Sequence, residues 1–149
     1  MKSFLKVDDL LWRGPQPQHD HLVQLKQQGL KVVYNLRLES QQSRSLARDT
    51  GLIYHELLVE DWNVPRPEQV QEFLEMLAEP EGVMAPGLVH CWGGVGRTGI
   101  FVSCYRVARG MDLEEAIDLS DRETPHLLMS PLQRDWLRAH QHRWKWPPI

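Results

Sequence analysis

A chain of 149 residues is long enough to bury about 70% of its unfolded surface in one core, so it needs no disulfide scaffold. Its formal charge of −3 gives no electrostatic basis for nucleic acid or an acidic membrane as the main partner. The two cysteines, Cys91 and Cys104, stand in neither metal-ligand nor C-x-x-C spacing, which excludes a cysteine-built metal site and fits a reducing compartment. No apolar run approaches the ~18 residues of a membrane span, and Lys6, Asp8 and Asp9 interrupt the N-terminal apolar stretch as no signal peptide would. These properties predict a single domain over residues 1–149, monomeric and cytoplasmic.

Phe4 to Val7 and Leu10 to Trp12 read as a short strand pair, followed by a rigid turn over Arg13-Gly14-Pro15-Gln16-Pro17. Asp20 to Gln28 reads as a helix with Leu22 and Leu25 inward and Gly29 as its stop. Val32 to Leu36 is predicted as a buried strand. Arg37 at its end is read as a solvated arginine, with a substrate contact as the alternative. A polar helix over Ser40 to Thr50 closes at Gly51, and Ile53 to Val59 forms the next strand.

The loop Glu60-Asp61-Trp62-Asn63-Val64-Pro65 then carries two acids, and Pro65 and Pro67 delay the following helix until Glu68. In that helix, to Glu79, Val70, Phe73, Leu74 and Leu77 fall on one face. Residues 80–86 lead into the strand Gly87-Leu88-Val89-His90, and the apolar run Ile100 to Arg109 reads as a buried helix ended by Gly110. Cys104 within it is expected to be a buried, inert thiol, with a resolving partner for oxidised Cys91 as the alternative. Asp112-Leu113-Glu114-Glu115 opens a helix to about Asp121, and Ser130-Pro131-Leu132-Gln133 opens the last one. Trp136, Trp144 and Trp146 are read as closing the core, with a partner-binding aromatic patch as the alternative.

Between strand and helix lies His90-Cys91-Trp92-Gly93-Gly94-Val95-Gly96-Arg97-Thr98-Gly99. Gly93, Gly94 and Gly96 permit a loop whose amides point inward, and a helix starting near Arg97 adds unpaired N–H groups and the positive end of its dipole. A phosphate suits that position. The same field favours the thiolate form of Cys91. Arg97 offers a planar fork that can grip two phosphate oxygens and follow them as phosphorus becomes trigonal bipyramidal. Gly94 to Gly99 also spells G-x-G-x-x-G, but no second strand with a terminal acid follows the helix, and a Walker A reading fails because cysteine and arginine replace its first glycine and its lysine. A buried structural cysteine before a turn is the remaining alternative.

The ten residues resemble the signature loop of the cysteine-dependent protein tyrosine phosphatases, nearest to the small dual-specificity type. The resemblance implies Cys91 as a nucleophile forming a phosphocysteine, Arg97 as phosphate clamp, Thr98 as an aid to thiolate departure and His90 as a loop-orienting group. It implies that Trp92, Gly93, Gly94, Val95, Gly96 and Arg97 line the phosphate. Trp92 and Val95 differ from the lysine-bearing loops of phosphoinositide phosphatases, which argues against a highly charged inositol lipid. Arg13 to Pro17 resembles the Arg-Ser-x-Gln-Pro opening of bacterial-type small tyrosine phosphatases.

Dephosphorylation of a poor leaving group needs a general acid. Asp61, 30 residues before Cys91, resembles the acid-loop residue of the family, with Glu60 as its rival and a turn-capping role as the alternative. Gln133 has two readings, helix capping, which is favoured, and placement of the hydrolytic water. The predicted fold is α/β, a central, mostly parallel twisted sheet flanked by helices of the phosphotyrosine-phosphatase type. The predicted activity is metal-independent phosphate monoester hydrolysis through phosphocysteine, with no cofactor, on a phosphorylated protein or a small phosphomonoester. The alternatives are a catalytically silent phosphate-binding pseudophosphatase and a phosphatase of a small-molecule or nucleotide phosphate.

Overall fold

The computed structural model describes residues 3–148. Strands β1 (Leu5–Asp8) and β2 (Leu11–Gly14) pair antiparallel, and the Asp8 carboxylate closes their turn by accepting the Leu10 N–H at 2.9 Å. Helix α1 (His19–Gln27) leads to β3 (Val32–Arg37), α2 (Gln42–Thr50) to β4 (Ile53–Val59), and α3 (Pro67–Leu77) to β5 (Gly87–His90). Helices α4 (Gly96–Ala108), α5 (Leu113–Glu123) and α6 (Pro131–His140) complete the chain, with a single 3-10 turn over Gln141–Arg143. The sequence-derived elements are all present, with ends shifted by a few residues. The clearest shift is at Arg13 and Gly14, expected in a turn but drawn into β2 by pairing with Val89 and His90.

The sheet order is β1-β2-β5-β3-β4, parallel except for the β1–β2 pair. Strand β5 is central, between β2 and β3, so the loop leaving its carboxyl end is flanked by the ends of both neighbours. Alternation along the strands divides the core. Tyr34 and Leu36 face α3 and α4, where Phe73 meets Tyr34 and Phe101 edge-on at ring separations of 5.3 Å. Val33 and Leu88 face Leu22, Leu25 and Ala47 of α1 and α2 on the other side. The α3 face of Val70, Phe73, Leu74 and Leu77 is buried as its spacing predicts.

The C-terminal tryptophans close the core. Trp144 is buried against Trp136, and Trp146 packs edge-on to Tyr105. Helix α5 is capped by Asp112, whose carboxylate accepts the N–H groups of Glu114 and Glu115. Among the described residues no helix is long and apolar enough to cross a membrane.

His90, at the end of β5, is fully buried. Its Nδ1 lies 3.1 Å from the Cys91 carbonyl, which can only accept, so Nδ1 carries the proton and Nε2 accepts the Ser43 hydroxyl of α2 at 2.9 Å. Burial, and secondarily the charges of Arg37 and Arg97, lower its pKa from 6.5 to about 4, against the opposing bond to Cys91. The folded-state value lies below the unfolded one. Below pH 6.5 the unfolded chain therefore takes up a proton that the folded chain refuses until about pH 4, and stability present above that window is lost within it. Urea denaturation at stepped pH should show up to about 3 kcal/mol lost across the window in the wild type and a flatter profile in His90→Asn. Equal profiles would place the proton uptake elsewhere.

Candidate active site

The four parallel strands deliver their carboxyl ends to one edge, where ligand sites of such sheets gather. From β5 comes Cys91, 3% exposed, and the loop through Val95; from β2 comes the Arg13–Gln16 segment; from β3 come Arg37 and Glu39; from β4 comes Asp61. The loop encloses a cavity of about 90 Å³ whose lining includes Asp61, Cys91, Gly93, Val95, Arg97 and Gln133. Trp62, Trp92, Leu127 and Leu128 form its exposed apolar rim.

Cys91 Sγ accepts the Thr98 hydroxyl at 3.0 Å, inside the first turn of α4. Two of the three loop glycines have distinct reasons to be glycine. Gly94 holds φ at +75°, and a Cβ there would sit 2.7 Å from the carbonyl carbon of Gly14. A Cβ on Gly96 would lie 2.9 Å from the Gln133 amide. Gly93, expected to be needed for the same purpose, has neither a left-handed φ nor a neighbour within 4 Å of a Cβ. Val95, also assigned to the lining, is buried and directly precedes α4.

Arg97 is the most heavily engaged group of the site. Its side chain is 1% exposed; Nη1 donates to Glu39 Oε1 at 2.7 Å and to the Val59 carbonyl at 3.0 Å, and Nη2 donates to Glu39 Oε2 at 3.0 Å. Nη2 also lies 3.3 Å from Asp61 Oδ1. Of its five N–H donors, Glu39 and the Val59 carbonyl take three, which leaves the Nε–H and the Nη2–H beside Asp61. Burial opposes its charge, but the Glu39 bonds and the charges of Cys91, Glu39 and Asp61 outweigh that, and its pKa is raised. The reciprocal effect holds Glu39 down to about 2, chiefly through the bond from Arg97 and secondarily from Arg37, with burial opposing.

Arg37 is not the solvated arginine expected from its place at a strand end. It is 9% exposed, donates to Gln16 Oε1 at 2.8 Å and Glu39 Oε2 at 2.9 Å, and lies over the Trp92 ring at 4.8 Å from its centroid. The bulge between Asn35 and Arg37, where Asn35 Oδ1 accepts the Arg37 N–H, turns the chain so that Arg37 and Glu39 both enter the site. Glu39 escaped the sequence reading. Its signal was the one that flagged Arg37, two residues earlier at the same strand end, but a carboxylate is not what a phosphate pocket leads one to seek.

Asp61 is half exposed and lies 3.3 Å from Arg97 Nη2, whereas the carboxylate of the rival Glu60 accepts from Asn63 Nδ2 of its own loop at 3.5 Å. Trp62, adjacent, holds a left-handed φ of 64°, an uncommon conformation for a bulky residue and one concentrated at functional loops. Gln133 fulfils its capping reading in a reciprocal box with Ser130. Its Nε2 also donates to the Asn63 carbonyl at 3.2 Å, tying the acid loop to α6. Cys104 is fully buried and its pKa is raised by burial, as an inert core thiol requires.

Residues 4–134 match the family described as "PTP-NADK: DSP-PTPase phosphatase fused to NAD+ Kinase". Among similar sequences, the chain is 31% identical over 97 residues to the human dual specificity protein phosphatase CDC14C, covering 64% of this chain and 21% of that protein. It is 29% identical over 131 residues to the tyrosine-protein phosphatase cdcA of Emericella nidulans, covering 87% of this chain and 22% of that one. The chain thus spans about a fifth of these two relatives' length. The crystal structure of Tk-PTP in its active form shares the fold, with a TM-score of 0.81 at 24% identity over 95% of this chain and 97% of that one. The family match takes in well over half of the sequence, and the chain belongs to the PTP-NADK family of DSP-PTPase phosphatases.

Proposed function

We propose that the protein hydrolyses phosphate monoesters, of a phosphorylated protein or a smaller phosphomonoester, through a phosphocysteine on Cys91 and without a metal ion. The observation that carries this reading is the grouping of the Cys91 sulfur, its Thr98 hydroxyl donor at 3.0 Å and a buried, permanently charged Arg97 with Asp61 at 3.3 Å around one small cavity. Arg97 and the loop amides supply positive potential where charge develops on the equatorial oxygens, which is the stabilisation the reaction demands.

An arriving phosphate dianion exchanges with Asp61 at the Nη2 edge of Arg97 and leaves that carboxyl group beside the leaving oxygen, where it acts as general acid. The Cys91 thiolate attacks phosphorus, the S–P bond forms as the bond to the leaving oxygen breaks, and Asp61 delivers its proton to that oxygen. Asp61, now a carboxylate, accepts a proton from water. The water oxygen bonds to phosphorus, the S–P bond breaks, and the Thr98 hydroxyl stabilises the departing thiolate. Glu39 acts through Arg97 as a positioning residue, fixing the plane of the fork while leaving its loop-facing edge available.

Release of phosphate from p-nitrophenyl phosphate in the presence of chelator and reductant should be abolished by Cys91→Ser, with phosphate binding retained; substantial residual turnover would falsify the assignment. Asp61→Asn should slow alkyl phosphates by about 100-fold to 10,000-fold and activated aryl phosphates far less, because only the poor leaving group needs the proton. An equal loss on both would move the acid elsewhere. Glu39→Gln should lower kcat/KM by about 10-fold to 100-fold through a loosened guanidinium. An unchanged kcat/KM would show that the Val59 carbonyl alone orients Arg97.

A further inference from the structure

A ring of inward-facing amides has a geometric counterpart: the carbonyls of the same peptides must point outward, into protein rather than water, and each needs a donor there. The loop meets this demand at four points. The Cys91 carbonyl accepts from His90 Nδ1 at 3.1 Å, and the Val95 carbonyl from the Gly99 N–H of α4 at 2.7 Å. The other two donors come from outside the strand-loop-helix unit, both from the end of β2. The Gln16 N–H donates to the Trp92 carbonyl at 3.0 Å, and Arg13 Nη2 donates to the Gly94 carbonyl at 3.0 Å.

Arg13 is suited to more than filling space. Its side chain is 1% exposed, and while Nη2 holds Gly94, Nη1 donates to Ser120 Oγ at 2.9 Å and to Glu123 Oε1 at 2.8 Å. Glu123 in turn accepts both ends of the Arg106 guanidinium, at 2.8 and 2.7 Å. One fork therefore ties the loop to β2 and α5, and through Glu123 to α4. Gly94 is the residue where this matters most, because its left-handed φ gives its peptide the widest choice of orientation. Burial, and secondarily the charge of Arg106, lower the Arg13 pKa, with Glu123 and to a lesser degree Cys91 acting in the opposite sense.

We propose that Arg13 is a positioning residue for oxyanion binding: by holding the Gly94 carbonyl outward against Ser120 and Glu123, it keeps the loop amides turned toward the phosphate. The assignment rests on reading this loop as the phosphate cradle. It follows from a fork that reaches three acceptors at once, which a lysine ammonium on a single stem cannot match.

The test compares the affinities of inorganic phosphate and of vanadate, measured by calorimetry, with kcat/KM for p-nitrophenyl phosphate and with the melting temperature, in wild type, Arg13→Met, Arg13→Lys and Glu123→Gln. In folded Arg13→Met both affinities and kcat/KM should fall at least about tenfold, with the larger loss for vanadate, the closer mimic of the trigonal state. Glu123→Gln keeps the Gly94 and Ser120 bonds but loses the carboxylate behind Arg13, and at a comparable loss of melting temperature it should lower both affinities less than Arg13→Met does, a separation that a merely structural role for Arg13 does not produce. Phosphate and vanadate bound by Arg13→Met within twofold of wild type would overturn the proposal. Should Arg13→Met fail to fold, Arg13→Lys decides, with a loss of at least about threefold supporting the anchor and unchanged affinity overturning it. A wild type that binds vanadate without turnover, and loses that binding in Arg13→Met, would uphold the anchor while removing the hydrolase reading. A wild type that binds neither oxyanion would overturn both.

Discussion

A guanidinium carried into the interior must be paired with charge and hydrogen bonds, or it costs more than its surroundings return. Arg97 meets this condition with Glu39 on two of its nitrogens and the Val59 carbonyl on one. Much of the carboxyl edge of the sheet serves that requirement. The bulge after Asn35 brings Glu39 inward, β4 ends where its last carbonyl can accept, and α4 begins where Arg97 can reach both. The charge at this edge is thereby fixed in position before any ligand arrives, the preorganisation that the proposed hydrolysis calls for.

The same solution recurs around the loop. Arg13, Arg37 and Arg97 are all buried, and each is held by a carboxylate, Glu123 for the first and Glu39 for the other two. They enter from β2, β3 and α4, so three separate elements bring buried positive charge to the loop, Arg13 at Gly94, Arg37 over Trp92 and Arg97 in the cavity itself. Neutralising acids set behind the site let that charge stay buried without closing the edge that faces the ligand. Asp61 is the exception, since it approaches Arg97 from the open side on a loop held by Gln133 and strained at Trp62.

Much of the architecture was legible because its signals are local. Ile53 to Val59 stands out by β-branched and apolar content between Gly51 and the acid loop, and the α3 face by its spacing. Cys91, Arg97 and Thr98 sit in one contiguous run, so their proximity follows from a short strand-loop-helix. Arg37 was misread because exposure at a strand end is the common outcome, and its actual burial depends not only on nearby Glu39 but on Trp92 and Gln16, which lie far off in sequence. Glu39 was passed over as a carboxylate beside an expected anion site, and Arg13, although part of the opening over residues 13–17, carries no local sign of its reach to Gly94.

Periodicity, capping and glycine placement act over a few residues, so the loop from Cys91 to Arg97, the order and type of the elements and the faces they bury could all be read from the chain alone. Only the tertiary structure decided which partners keep the buried arginines charged and which donors hold the loop carbonyls outward. Glu39 reaches Arg97 across 58 residues, Arg13 reaches Gly94 across 81, and Gln133 reaches Asn63 across 70. Such pairings exist only once a parallel sheet has laid the ends of distant strands side by side, and no local pattern in the chain encodes which ends those will be.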